Sequence, residues 1–81
     1  KVEGFEVYPN PSTGKFYVKA NVKGASSIKV MDLTGRVIYH ENYPTKALLF
    51  TSVDLSNQAT GIYFVEVREG NNVAIQKVSV Q

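Results

Sequence analysis

The stretch GIYFVEVREGNNVAIQKVSVQ, residues 61–81, decides the fold of this chain. Residues 61–68 are rich in β-branched and aromatic side chains, which favour a pleated, half-buried strand. The run begins apolar on both faces and ends apolar on one face, as a central strand that emerges into water would. Residues 69–72 tolerate the positive φ angles that a hairpin turn requires. Because residues 73–80 are again rich in β formers, the stretch predicts a hairpin between a central strand and the last strand.

Length and composition limit the class of protein. The chain has 81 residues, of which 43% are hydrophobic and 20% charged, so it is one small globular domain. Its net charge of +2 is weak, and no basic stripe is interleaved with aromatic residues, so we expect no nucleic-acid binding. The absence of cysteine excludes disulfides and thiolate metal sites, and we expect no cofactor.

The sequence shows neither a membrane span nor a secretory signal peptide. The longest apolar run without charge, residues 47–53, is far shorter than the ~20 residues that cross a bilayer. The sequence opens with Lys1 and lacks the basic and apolar regions of a signal peptide. We therefore expect the domain to be a piece of a longer protein.

Five further strands precede the hairpin. The clearest is residues 15–22, in which Phe16 and Val18 alternate with Lys15 and Tyr17, as in an antiparallel strand with one wet face. The predicted strands are residues 5–8, 15–22, 27–32, 37–43 and 47–53, and residues 1–4 are a linker end. Seven short strands at this spacing predict an all-β, seven-stranded, immunoglobulin-like antiparallel β-sandwich over residues 5–81.

Turn residues separate the strands. Pro9, Asn10 and Pro11 cannot continue a ladder, because proline lacks a backbone donor and restricts the residue before it. Asp32 and Gly35 suit a tight turn with a bulge. Residues 54–60 contain good helix N-caps and predict one helical or 3₁₀ turn.

A glycine and a tyrosine follow that segment. Gly61 lets the chain bend into the next strand, and Tyr63 stands where sandwiches often bond a tyrosine hydroxyl to the corner backbone. A scaffold role explains both residues.

No set of residues predicts catalysis. His40 is the only histidine, and nothing marks a nucleophile and an acid that would accompany it. Asp32, Asp54 and Asn10 would suit a calcium site built from loops, but turn and cap roles explain all three. A row of exposed tyrosines would stack on sugar rings, although core packing and cross-strand pairing explain most of the aromatic residues. We expect a protein that is not an enzyme.

Several motifs then occur in one order along the chain. They are Val7-Tyr8-Pro9-Asn10-Pro11, Ile28-x-Val30-x-Asp32-x-x-Gly35-Arg36, Val53-Asp54-Leu55-Ser56, Gly61-Ile62-Tyr63-Phe64-Val65 and Lys77-Val78-Ser79-Val80. With these motifs the chain resembles the C-terminal sorting domain of type IX secretion system cargo proteins, also called the Por secretion system C-terminal domain. The resemblance covers residues 5–81.

The resemblance implies a function. Such domains are fused behind varied N-terminal cargo in the same chain, which reaches the periplasm and is then carried across the outer membrane by a translocon and shuttle proteins. A sortase-like peptidase typically removes the domain, and the cargo is secreted or held at the cell surface, often on lipopolysaccharide. Members frequently carry a basic residue at or near their end. This chain ends Val80-Gln81, so Lys77 would have to supply the charge.

The last strand is the predicted recognition site. Its candidate residues are Lys77, Val78, Ser79, Val80 and Gln81, which would be recognised by strand addition or by capture of a terminal carboxylate. Unpaired strand edges would also allow two copies to form a homodimer. The alternative is an immunoglobulin-like accessory module that binds carbohydrate or a partner protein.

Overall fold

A computed structural model describes residues 2–44 and 48–81 of the chain. These residues form seven β-strands, and none of the described residues lies in a helix that could cross a membrane. The strands are β1 (Glu3–Tyr8), β2 (Lys15–Asn21), β3 (Ser26–Met31), β4 (Val37–Tyr43), β5 (Leu48–Asp54), β6 (Gly61–Glu69) and β7 (Asn72–Val80).

The strands form two antiparallel sheets that pack as a sandwich. One sheet has the order β1-β2-β5 and the other the order β4-β3-β6-β7. The predicted seven-stranded antiparallel β-sandwich of immunoglobulin-like kind is therefore confirmed. The hairpin prediction is also confirmed, because β6 lies between β3 and β7 and pairs with β7 from Gly61 opposite Val80 to Glu69 opposite Asn72.

Alternation along the strands builds the core. In β2, Phe16, Val18 and Ala20 are fully buried, whereas Lys15 and Tyr17 between them are exposed. The facing sheet contributes fully buried side chains from its two inner strands and from β7, namely Ile28, Val30, Val65, Val67 and Val78. Burial of this kind contributes about 1.5–3 kcal/mol per large aliphatic side chain, so a period-two pattern fixes which face of each strand turns inward.

Several strand boundaries differ from the sequence prediction by one or two residues. Strand β1 begins at Glu3, two residues before the predicted start, and Val2 is buried, so residues 2–4 pack with the sandwich instead of forming a linker end. Val2 is apolar and packs in the core. This burial holds the segment in place although Gly4 follows it. Residue 47, the predicted start of the fifth strand, lies outside the described residues, as does residue 1.

The helical turn expected after β5 is not observed. Residues 54–60 contain a hydrogen-bonded turn, in which the Gln58 amide donates to the Leu55 carbonyl at 2.9 Å, but no helix. Leu55 is buried and its amide donates to the Gly14 carbonyl at 2.7 Å, so the corner is held against residue 14. The side chain of Asp54 accepts a bond from the Ser56 amide at 2.9 Å, so it caps a turn where the sequence predicted that it would cap a helix.

The two ends of the sandwich carry different parts of the chain. Strand register places Tyr8, Lys15, Met31, Gly61 and Val80 at one end, which we call the motif end. The opposite end holds the first residue of β1 and the turn between β6 and β7. The longest dimension of the described chain is 33 Å, so the two ends are well separated.

Candidate recognition site

Pairing with β6 divides the five candidate residues between two faces of β7. Val78 lies opposite Tyr63 and is fully buried, and Val80 is buried beside it at 4% exposure. Lys77 lies opposite Phe64 and is exposed, whereas Ser79 is half-buried and Gln81 is exposed. Only Lys77, Ser79 and Gln81 can therefore contact a partner while the sandwich stays folded.

Residues 9–12 cover the edge of β7 along its last half. The Asn10 side chain donates from Nδ2 to the Lys77 carbonyl at 2.9 Å and accepts at Oδ1 from the Ser79 amide at 3.0 Å. Ser12 continues the pattern through its backbone, donating to the Ser79 carbonyl and accepting from the Gln81 amide, both at 2.8 Å. The carboxamide thus mimics a peptide group of a neighbouring strand. We call residues 9–12 the edge cover.

The edge cover argues against recognition of residues 77–81 by strand addition. A partner strand would need the carbonyl and amide groups of residues 77–81 that Asn10 and Ser12 already bind. Pro9 and Pro11 lack amide donors, so the cover offers little for a further strand to pair with. The peptide bonds before both prolines are cis. Pairing of two copies through strand edges stays a prediction, and this part of the β7 edge is occupied.

The edge cover is anchored to the corner that follows β5. The buried Ser12 hydroxyl accepts a bond from the Gly14 amide at 3.2 Å, and the Gly14 carbonyl accepts one from the Leu55 amide at 2.7 Å. Gly14 has φ +117° and lies so close to the corner that a Cβ would meet the Ser56 Cα at 3.0 Å. Only glycine suits this position, so the cover and the corner are held together.

Tyr63 fixes the same end of the molecule. Its ring is buried, and its hydroxyl donates to the Ala59 carbonyl in the corner, as the sequence predicted for a corner tyrosine. Gly61 has φ +147°, which is a backbone conformation that residues with a side chain rarely adopt. Both residues therefore shape the entry into β6.

The turn between β3 and β4 is organised by Asp32. Its Oδ1 accepts bonds from the Thr34 amide at 2.9 Å, the Thr34 hydroxyl at 2.6 Å and the Arg36 amide at 3.0 Å. The Thr34 hydroxyl above all, with the two amides and the Arg36 charge, lowers the pKa of the Asp32 carboxyl. Gly35 has φ +87°, and the register shifts between Val30 and Met31, so the predicted turn with a bulge is confirmed.

Asp54 has the same structural role. The Ser56 hydroxyl and amide lower the pKa of its carboxyl. In residues 2–44 and 48–81 no three histidine, aspartate or glutamate side chains come together as they would around a metal ion. His40 is exposed on β4 opposite Lys29. Turn bonds therefore account for Asp32 and Asp54, and the bonds to the last strand account for Asn10, the third residue that the sequence offered as a ligand.

Aromatic residues form a row on the outward face of the three-stranded sheet. Tyr8, Tyr17 and Phe50 are 40%, 44% and 52% exposed. Ring centroids lie 5.8 Å apart between Tyr8 and Tyr17, and 5.5 Å apart between Tyr17 and Phe50. These distances are those of cross-strand aromatic packing, which stabilises a sheet without any ligand.

Sequence reasoning did not find the edge cover. It assigned Asn10 to a turn and did not single out Ser12, which is buried and bonded to the last strand. The sequence does carry one signal, which is an asparagine between two prolines. Its neighbours lack amide donors, so the segment cannot pair as a regular β-strand, and the asparagine side chain is available to bond elsewhere.

Comparison with known proteins identifies the family of the chain. The family model described as secretion system C-terminal sorting domain matches residues 6–81, which is nearly the whole chain. A search of curated proteins gave no match. The match includes every motif on which the resemblance was based, and it does not favour the alternative of an accessory module.

Proposed function

The chain belongs to the family of type IX secretion system C-terminal sorting domains, which mark proteins for export to the cell surface or across the outer membrane, and on this premise we propose that the domain is the non-catalytic export signal of a cargo attached on its N-terminal side. Outer-membrane translocon and shuttle proteins recognise the folded domain. A sortase-like peptidase then removes it from the cargo.

One observation carries the proposal: the motifs of the family, far apart in sequence, converge at one end of the sandwich. The edge cover, the Asp32 turn, the corner and the end of the last strand all lie at the motif end. Strand β1 begins at the opposite end, where Glu3 pairs with Asn21. A cargo joined there leaves the motif end free for a partner, even when the cargo is folded.

Within that end, residues 77–81 are the recognition site. Lys77, Ser79 and Gln81 supply the contacts, and Val78 and Val80 hold the strand in place by packing in the core. The edge cover fixes the backbone of this strand. The partner therefore recognises side chains on a rigid strand and pays little conformational entropy on binding.

Export of a reporter tests the proposal. A folded reporter fused ahead of the domain should reach the cell surface or medium in cells that have the type IX machinery, and stay in the periplasm in cells that lack it. Removal of residues 77–81 should also leave it in the periplasm. Surface export of the truncated fusion would contradict the assignment of the recognition site.

Charge at position 77 is tested in the same assay. Lys77→Glu should reduce export, whereas Lys15→Glu should not, because both lysines are exposed near the motif end but Lys15 lies on the other sheet. Equal export of the two variants would show that Lys77 is an ordinary surface residue without a role in recognition. The mass of the exported reporter shows whether the domain has been removed.

A further inference from the structure

The outward face of strands β3, β6 and β7 carries side chains in regular rows beside the recognition site. Register places Met31, Phe64 and Lys77 in one row across the three strands. The next row holds Lys29, Glu66 and Ile75. Lys77 is therefore one corner of a larger surface, which we call the basic face.

The basic face is more apolar than a solvated sheet face usually is. Ile75 and Val73 are 56% and 40% exposed, although β7 is an edge strand whose outward side chains are ordinarily polar. Half-buried Phe64 and Met31 continue the apolar surface onto β6 and β3. Contiguous exposed apolar side chains with a polar rim mark interaction sites.

Its charge is positive. Glu66 is buried beneath two cations, with Lys29 Nζ at 3.9 Å and Arg68 Nη2 at 3.2 Å from its carboxylate oxygens. These two cations and Lys77 outnumber the single carboxylate. On the opposite sheet the outward lysines, Lys15 and Lys19, have carboxylates among their strand neighbours, so that face has no comparable excess.

These observations identify the kind of partner. A second copy of the same face would bring like charges together, which disfavours self-association. The exposed apolar side chains of the face are valine and isoleucine and not the tryptophan, phenylalanine and leucine typical of interfacial membrane segments, so a protein surface fits the face better than a bilayer. Acidic side chains around an apolar patch would complement it.

We propose that the basic face binds an acidic, partly apolar protein surface of the export machinery, with Ile75, Val73 and Phe64 as apolar contacts beside Lys77. This inference rests on the proposed function and extends the recognition site from the last five residues onto β6 and the first half of β7. Since the edge cover occupies backbone groups of residues 77–81, a partner reaches that part of the strand through its outward side chains.

A double variant tests the face without touching residues 77–81. Val73→Thr with Ile75→Thr removes apolar contact and keeps β-branched side chains, so the strand should persist. The matched control is Leu48→Thr with Phe50→Thr on the opposite sheet, where the two side chains are 48% and 52% exposed. Thermal unfolding of each purified fusion verifies that the domain is folded.

Export should fall at least about fivefold in the Val73/Ile75 variant and stay near the wild-type level in the control, since a fivefold loss of binding corresponds to about 1 kcal/mol, which the two lost apolar contacts need only supply together. Normal export of the folded Val73/Ile75 variant would overturn the inference. If export of the wild-type fusion still required the type IX machinery in that case, the proposed function would stand.

Three other outcomes also overturn it. Equal losses in the variant and the control would show that no single face is recognised. Binding of the wild-type fusion to phosphatidylglycerol vesicles, lost in the Val73/Ile75 variant, would identify a lipid surface as the partner. Purified fusions that dimerise through this face, measured by sedimentation, would identify a second copy.

Discussion

Replacing Asn10 with alanine should loosen the last strand while leaving the rest of the sandwich intact. The change removes the bonds to the Lys77 carbonyl and the Ser79 amide, which lie 67 and 69 residues away in sequence. Ser12 still pairs with the strand through its backbone. The edge cover should therefore be weakened without being lost.

The expected magnitude follows from the two bonds. Each net hydrogen bond contributes about 0.5–1.5 kcal/mol, and both lie in an exposed place where water can replace the carboxamide. We therefore expect a loss of about 1–2 kcal/mol in the free energy of unfolding. For a domain of this size that lowers Tm by about 5–15 °C.

Hydrogen exchange locates the effect. In Asn10→Ala the Ser79 amide should exchange about 5- to 30-fold faster, because its acceptor is gone. Asn10→Asp keeps an oxygen for the Ser79 amide but no donor for the Lys77 carbonyl, so it should keep most of that protection. Asn57→Ala, in the exposed corner turn, serves as the matched control.

An unchanged Ser79 exchange rate in folded Asn10→Ala would refute the reasoning. It would mean that the carboxamide does not cover the strand in solution. A loss of protection spread evenly over β2 and β6 would refute it too, because the structure confines both bonds to the edge of β7.

Three further changes test the motif end. Gly14→Ala should cost several kcal/mol, because of its positive φ and the crowding by the corner backbone, whereas Gly24→Ala, with open space around it, should be nearly neutral in chemical denaturation. Tyr63→Phe should cost about 0.5–1.5 kcal/mol by losing one bond to the corner, and a larger loss would point to a rearranged core. Asp32 and Asp54 have folded pKa values below the ordinary 3.8, so their stabilisation is complete above that pH and is lost as pH falls through the folded pKa values. Replacing both with asparagine should flatten the acid end of the stability curve, and an unchanged slope there would count against their turn bonds.

Local rules of chain geometry made much of the fold predictable. Alternation in residues 15–22 gave the inward face of β2, and the Glu-Gly-Asn-Asn turn gave the hairpin. The corner bond of Tyr63 was predictable as well, because it joins residues four apart. The first strand began earlier than predicted, since the burial of Val2 depends on a sheet that a local pattern does not show.

The candidate site was predictable in position but not in form. Residues 77–81 were identified as a group, yet residues 73–75 of the same strand are apolar on both faces, so alternation did not reveal which face of this strand turns inward. Packing against the core settled that Val78 and Val80 are buried and that Lys77 faces out. The same pairing brought Phe64 and Ile75 beside the site.

What the sequence determined by itself is the set of strands, the turns between them and the sandwich they form, because each depends on side chains a few residues apart. The edge cover was decided only by the tertiary structure. Asn10 and Lys77 are 67 residues apart, and no local preference pairs them. They meet because β1 and β7 lie at neighbouring edges of two packed sheets, where an unpaired strand leaves its amides and carbonyls for whatever the fold places beside them.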